Sequence, residues 1–280
     1  MRPTRRNHRN RTASTIPAAG RTFGLAGTAG LVGLVGLVGL AGLTGLTALA
    51  ASPAGASQTP SAQTKYLAAI NAVGDQGVHF ASHAKQGNVT FTVTGDTGQK
   101  SGAQTLTLKQ GSTLEHMSVV LVGSTGYIDG NSTALTDVIG LSKTAATKYA
   151  GKWVSFSASK QQYQDLTAGL LDSQVAGELK MNGPYHYGKT KTINGKSATA
   201  IVGKVSDDSG NSVASTLYVA ASGTPLPLEQ TTGPSGKGTI AGTVNFTKWG
   251  QTVAQKAPAH SISVTKLPGV ATSSTTTTAG

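Results

Sequence analysis

The chain has 280 residues, a formal net charge of +12 and no cysteine, which excludes disulfides, thiolate metal sites, a cysteine nucleophile and an acylated N-terminal cysteine. All six arginines lie in residues 1–21, whereas the 17 lysines and 11 acidic residues all follow and give the rest of the chain a net charge of +6. Arginine grips guanine and phosphate through two-point contacts, so its absence from the rest of the chain argues against a nucleic-acid partner.

The N-terminal segment has the pattern of an export signal. Residues 1–22 are basic and free of acid, residues 23–50 carry no charge, and small residues end the segment at Ala54-Gly55-Ala56. This pattern predicts a secretory signal peptide over residues 1–56, cleaved after Ala56. The alternative is a retained transmembrane anchor, because about 20 apolar residues are enough to span a bilayer. Both alternatives place the rest of the chain outside the cytoplasm.

The remaining chain is predicted to be one domain between two polar segments. Residues 57–64 are rich in Ser, Thr and Gln and are predicted to be a linker, and residues 269–280 are predicted to be a disordered tail. The domain therefore occupies residues 65–268. Two of its segments, 65–83 and 161–179, have apolar residues at helical spacing and predict two helices.

Most of the domain has the alternating pattern of β-strands. Residues 132–150 are less regular and predict short helices or a loop, and the dipeptide Asn194-Gly195 predicts a tight hairpin. The sequence therefore predicts an α+β fold, with about nine or ten strands in a curved antiparallel sheet that covers about two helices. The predicted strands are 89–94, 105–109, 115–122, 127–130, 152–156, 185–193, 197–205, 213–221, 228–232 and 239–246.

The order of several short motifs, spread over about 190 residues, resembles a known family. The chain is similar to the LolA-like lipid carriers of the cell envelope, in particular the actinobacterial lipoproteins of the LppX and LprG type. The family carries a lipobox cysteine, which this chain lacks. The motifs are Val78-His79-Phe80, Tyr127-Ile128-Asp129-Gly130, Gly151-Lys152-Trp153-Val154, the run 193–198 around the Asn-Gly turn, Leu217-Tyr218-Val219, Thr224-Pro225-Leu226-Pro227, the run 244–250, and Ala257-Pro258-Ala259.

The resemblance implies a half-barrel sheet wrapped around helices, with an apolar cavity that holds acyl chains. It implies that the protein binds and transfers a lipid or an acylated glycolipid in the cell envelope, without a cofactor, and contact with a membrane surface fits that function. Aromatic and aliphatic side chains are the candidates to line the cavity, although each would also serve in an ordinary core. They are Leu67, Ile70, Phe80, Trp153, Phe156, Tyr163, Leu166, Leu170, Tyr218 and Phe246.

Two alternatives stay open from the sequence. The first is an envelope interaction or sensor domain that has the same fold and a closed core. The second and weaker one is a hydrolase, although the chain has no Gly-x-Ser-x-Gly elbow, Ser-x-x-Lys motif or phosphate loop. His79 and His83 are four residues apart and could share a metal on a helix, but no third ligand is evident. We therefore predict a non-catalytic protein that has no metal.

Overall fold

The structure is a computed structural model, and it describes residues 59–206, 212–233 and 241–268. The predicted leader (1–56) and the predicted tail (269–280) lie outside these ranges. Within the described residues, no helix has the length and apolar character needed to cross a membrane.

The described residues form five α-helices, and the sequence explains where they begin and end. Ser61 caps the first helix, because its Oγ accepts a hydrogen bond from the Thr64 amide at 3.1 Å. The predicted helix 161–179 is two helices, because the chain turns at Gly169 with φ +73°. The helices are α1 (Ala62–Val73), α2 (Ser132–Ile139), α3 (Lys143–Tyr149), α4 (Gln161–Thr167) and α5 (Asp172–Glu178), and a 3₁₀ helix covers Val264–Lys266.

The described strands number thirteen, more than the nine or ten predicted. The difference has three causes: residues 79–86 form a strand and not the end of a helix, the predicted strand 185–193 is two strands, and a two-residue strand follows near the end. The strands are β1 (His79–Gln86), β2 (Val89–Asp96), β3 (Ser101–Gln110), β4 (Thr113–Val122), β5 (Thr125–Gly130), β6 (Val154–Ser157), β7 (Asn182–Tyr187), β8 (Lys191–Ile193), β9 (Lys196–Ser206), β10 (Ser212–Ala220), β11 (Pro227–Thr232), β12 (Ala241–Thr247) and β13 (Ile262–Ser263).

All thirteen strands belong to one open sheet, in the order β13-β6-β5-β4-β3-β2-β1-β12-β11-β10-β9-β7, with β8 paired to β9 beside β7. Two antiparallel meanders, β1 to β6 and β9 to β12, meet where β1 pairs with β12. The pairing of β13 with β6 is parallel. The predicted α+β class and antiparallel sheet are confirmed.

One face of the sheet is apolar, and we call it the inner face. Residues paired across neighbouring strands lie on the same face, and the pairing places Phe246, Phe80, Gly95 and Gln104 in one row, which continues through Val119, Ile128 and Val154. Six of these seven are at most 3 % exposed, and the seventh is the buried Gly95. The helices cover this face: Gln104, for example, donates a hydrogen bond from Nε2 to the Leu166 carbonyl at 3.1 Å.

His79 and His83 lie on strand β1 and not on a helix. Alternate residues of a strand share a face, so the two are on the same side of the sheet, separated by about 13 Å of extended chain. They cannot chelate one metal ion at that separation. His79 instead contacts Asp96 on the neighbouring strand β2, with 2.9 Å between Nδ1 and Oδ1.

Candidate functional site

Seven of the ten predicted lining residues fall into two groups in the structure, and Leu67, Ile70 and Trp153 lie outside them. Nine of the ten are buried or half-buried, but Leu67 is 50 % exposed on α1. Ile70, also on α1, packs partly against the core. Trp153 is half-buried just before β6. The first group is Phe156, Tyr163, Leu166 and Leu170; the second is Phe80, Tyr218 and Phe246.

The first group lies where α4 and the chain after it press directly on the sheet, a region that we call the closed region. The rings of Phe156 and Tyr163 are 4.8 Å apart at their centres. The Phe156 ring occupies the space above Gly126, where a Cβ would lie 2.3 Å from the ring. A Cβ at Gly102 would lie 2.1 Å from the Leu170 carbonyl oxygen. Strand glycines therefore allow this close approach.

The second group lies around the β1–β12 junction. Phe80 and Phe246 are directly opposite each other across the two strands, and both are buried. The ring of Trp249 is 5.8 Å from that of Phe246. Tyr218, the third member of the group, lies on β10 away from this pair of rings. It packs against a small second apolar cluster that contains Leu228.

A pocket of about 700 Å³ opens beside the second group, and we call it the end pocket. Three segments line it: the β8–β9 turn, the β10–β11 connection and the end of β12 with the residues after it. Of the ten predicted residues, Phe246 is the one that lines this pocket. The lining residues are Asn194, Gly195, Lys196, Ser197, Ala220, Ser222, Thr224, Leu226, Leu228, Phe246, Thr247, Lys248 and Trp249.

Local sequence explains why the pocket is open. Asn194 and Gly195 both have positive φ, 48° and 77°, which gives the two-residue turn that the sequence predicts. The pairing of β10 with β11 shifts register so that Leu228 has no partner on β10, which is a β-bulge. The indole Nε1 of Trp249 donates a hydrogen bond to the Pro227 carbonyl at 2.7 Å and holds the chain after β12 against the start of β11.

Sequence reasoning missed three large apolar lining residues, Leu226, Leu228 and Trp249. A signal for the first two was present, because Pro225-Leu226-Pro227 interrupts a strand pattern and prolines are placed at sheet edges and bulges. Trp249 gave no such signal, because it follows the last predicted strand.

The pocket lining carries lysines and no carboxylate. Lys196 and Lys248 line it, and its thirteen residues include no Asp or Glu. The nearest acidic side chain along β11, Glu229, is bound by Lys191 with 2.5 Å between Nζ and Oε1. The same Lys191 ammonium lies 3.9 Å from the centre of the Tyr218 ring. The electrostatic character of the pocket is therefore positive.

The carboxylate of Asp96 lies close enough to Lys248 for the positive charge of the lysine to lower its pKa. Burial raises the pKa of Asp96, but hydrogen bonds with Gln251 and His79 and the charge of Lys248 bring the pKa below its ordinary value overall. The Gln251 Nε2 donates to the carboxylate at 2.8 Å. Asp96 is therefore a carboxylate that already has its partners.

Among the described residues, no group of three or more His, Asp or Glu side chains is placed to hold a metal ion. The pair of His79 and Asp96 resembles half of a nucleophile-activating triad, but within the described ranges no Ser or Thr hydroxyl hydrogen-bonds to His79. What the site provides is an apolar floor and a polar, basic rim.

Comparison with known proteins finds similarity in solved structures alone. No family model and no curated protein matches the chain. LprF from Mycobacterium bovis is 15 % identical, with a TM-score of 0.48, over 70 % of this chain and 96 % of LprF. The lipoprotein LppX of Mycobacterium tuberculosis is 14 % identical, with a TM-score of 0.42, over 69 % of this chain and 97 % of LppX.

A LolA-superfamily protein from Nitrosomonas europaea also matches, at 10 % identity and a TM-score of 0.23, over 71 % of this chain and 96 % of that protein. These proteins are of the type that the sequence resembles. At such identities the similarity concerns the fold alone and says nothing about a ligand.

Proposed function

We propose that the protein is a non-catalytic, exported carrier that binds a lipid or an acylated glycolipid. Its acyl portion enters the end pocket and lies against the apolar inner face of the sheet. One observation carries the proposal: Phe246 lines the end pocket and also belongs to the main hydrophobic core, opposite Phe80. An apolar chain that enters the pocket therefore meets the core of the domain directly.

The size of the pocket suits this role. Small-molecule sites usually have volumes of about 300–1,000 Å³, and the end pocket has about 700 Å³. Each methylene that leaves water contributes about 0.8 kcal/mol, so a buried acyl chain can offset the cost of ordering the ligand. Such a site needs no catalytic motif, only an apolar floor.

The backbone at the pocket also allows a chain to enter. The pairing of β11 with β12 begins at Glu229 and Asn245, so Leu228 and Phe246 lie beyond the last paired residues. Separating these two side chains breaks no hydrogen bond of the sheet. The bond from Trp249 to Pro227 is the contact that closes this end.

The test is whether the exported full-length chain contains lipid. We would express it in a host that exports it, recover it from outside the cytoplasm, and analyse extracted ligand by mass spectrometry. We expect a co-purified acyl compound, and uptake of a fluorescent fatty acid once that ligand is removed. N-terminal sequencing of the same sample tests cleavage after Ala56 against a retained anchor.

A matched pair of variants locates the site. Ser197 is an exposed residue of the pocket lining, and Ser197→Trp is expected to fill the pocket and abolish fatty-acid uptake. Thr92 is an exposed residue of β2 outside the pocket lining, and Thr92→Trp should leave uptake unchanged. A protein that is recovered without lipid and takes up no fatty acid would contradict the proposal.

The closed region favours a second candidate, an envelope interaction or sensor domain. There the ring of Phe156 and the Leu170 carbonyl lie directly on strand glycines, so this part of the core has no room for a ligand. If the end pocket also fails to take up acyl compounds, this candidate replaces the first.

A further inference from the structure

The charge of the end pocket indicates which class of amphiphile it accepts; this inference rests on the proposed function. The pocket lining has two ammonium groups, on Lys196 and Lys248, and no carboxylate. A ligand with a positive head would be repelled there, and a neutral head would gain less from the lysines than an acidic one. An acidic head would gain two attractive contacts.

The two lysines reach the pocket lining from separate segments of the chain. Lys196 begins β9 directly after the Asn-Gly turn, and Lys248 follows the end of β12 with φ +53°. Neither makes an ion pair or a side-chain hydrogen bond within the described ranges. Their ammonium groups are therefore available to a ligand.

Among the described residues, neither nearby acid forms an ion pair with a pocket lysine. Glu229 is bound to Lys191, and Asp96 is bound to His79 and Gln251. Both carboxylates thus have partners other than the pocket lysines. The hydroxyls of Ser197, Ser222 and Thr224, which also line the pocket, add further donors for an anionic head.

We infer that the end pocket binds an anionic amphiphile, with its acidic head between Lys196 and Lys248 and its chain on Leu226, Leu228, Phe246 and Trp249. Charge-assisted hydrogen bonds from ammonium groups to carboxylate or phosphate oxygens are stronger than neutral ones. The apolar floor and basic rim are therefore arranged in the same order as the chain and the head of such a ligand.

Trp249 provides a direct reporter of binding. The chain has two tryptophans, and Trp153→Phe leaves Trp249, which lines the pocket, as the single tryptophan to be excited selectively. We would titrate this variant of the full chain, freed of lipid, with four probes that share one alkyl chain: dodecanoate, dodecyl phosphate, dodecanol and dodecyltrimethylammonium. We expect the two anions to bind roughly tenfold more tightly than dodecanol at low salt, and the cation more weakly.

The lysines are tested by charge removal. In the double variant Lys196→Gln/Lys248→Gln, the anions should lose their advantage while dodecanol binds as before. The control is Lys85→Gln/Lys109→Gln, which removes two exposed lysines outside the pocket lining and should leave the preference intact. The preference should also fall in about 0.5 M salt, because salt screens exposed charges.

The outcomes separate the two proposals. If dodecanol and the anions bind equally, or if the preference survives removal of both lysines, the inference on charge is overturned and the carrier function stands. If no probe binds, the proposed function fails as well. The tighter of dodecanoate and dodecyl phosphate distinguishes a fatty-acid ligand from a phospholipid-type ligand.

Discussion

The closed region and the end pocket belong to the same sheet and both contain large apolar residues, but they are packed in opposite ways. In the closed region, glycines stand under the large groups: Gly126 under the Phe156 ring and Gly102 under the Leu170 carbonyl. At the end pocket, Phe246 and Trp249 border a volume of about 700 Å³. An aromatic side chain therefore fills the core or lines a cavity according to the residue that faces it.

The largest expected effect is on the closed region. Gly102→Ala would place a methyl carbon 2.1 Å from the Leu170 carbonyl oxygen, a backbone atom that cannot move without shifting the chain after α4. We expect a loss of about 3 kcal/mol in the free energy of unfolding, measured by urea denaturation. A variant as stable as the wild type would show that this region is not tightly packed.

The control for Gly102→Ala is Gly177→Ala in α5. No atom lies within 4 Å of a Cβ at this position, and its φ is not in the left-handed region. Alanine favours the helix over glycine by about 0.5–1 kcal/mol, so this variant should be slightly more stable than the wild type.

The second prediction concerns Glu178, at the end of α5. Burial raises its pKa to about 7, and among the described residues it has no hydrogen-bond or ion-pair partner. Between about pH 4.5 and pH 7 the unfolded chain loses this proton while the folded chain keeps it, so stability falls as the pH rises through that window. We expect Glu178→Gln to remove about 2 kcal/mol of this decrease.

Urea denaturation at several pH values between 4.5 and 8.5 measures this effect. The control is Asp75→Asn, because Asp75 is exposed, and its pH dependence should match that of the wild type. If Glu178→Gln follows the wild-type curve as well, the carboxyl is not held in a region that excludes water.

Much of the fold could be predicted because the pattern of a β-strand is present in its own residues. Alternation along residues 89–94 and the Asn194-Gly195 turn each determine a strand or a turn from neighbouring residues alone. A short first helix was predicted within residues 65–83, but residues 79–86 are a strand that pairs with both β2 and β12. The pairing with β12 joins residues more than 150 positions apart, which no local pattern reports.

The site was harder to predict for the same reason. Phe156 and Phe246 look alike in the sequence, since each lies in an alternating strand. Their environments differ because the Phe156 ring lies on Gly126, whereas Phe246 shares the pocket lining with Leu228 at the bulge, and both neighbours come from other strands. The basic character of the pocket combines Lys196 and Lys248, which are 52 positions apart, so it emerged only with the fold.

The third prediction compares two buried phenylalanines, Phe156 in the closed region and Phe246 at the end pocket. Phe156→Leu and Phe246→Leu remove similar volume from buried positions, and each should cost about 1.5 kcal/mol of stability. Uptake of a fluorescent fatty acid should weaken in Phe246→Leu and stay unchanged in Phe156→Leu, because only Phe246 lines the end pocket. Equal loss of uptake in both variants would place the ligand deeper between sheet and helices.

The smallest expected effect concerns the bond that closes the end pocket. Trp249→Phe keeps an aromatic ring near Phe246 but removes the Nε1–H that donates to the Pro227 carbonyl. A hydrogen bond of this kind contributes about 1 kcal/mol, so global stability should fall by no more than that. The rate of amide hydrogen exchange should increase more at Leu228 and Phe246 than in strand β4, because the chain after β12 is no longer bonded to Pro227.

Trp153→Phe is the control for this last change, since among the described residues the Trp153 indole makes no hydrogen bond. Its exchange pattern should match that of the wild type at Leu228 and Phe246. If Trp249→Phe and Trp153→Phe behave alike there, the indole bond does not hold the end of the sheet. The entrance would then be governed by contacts among Leu226, Leu228 and Phe246, and fatty-acid uptake by Trp249→Phe would equal that of the wild type.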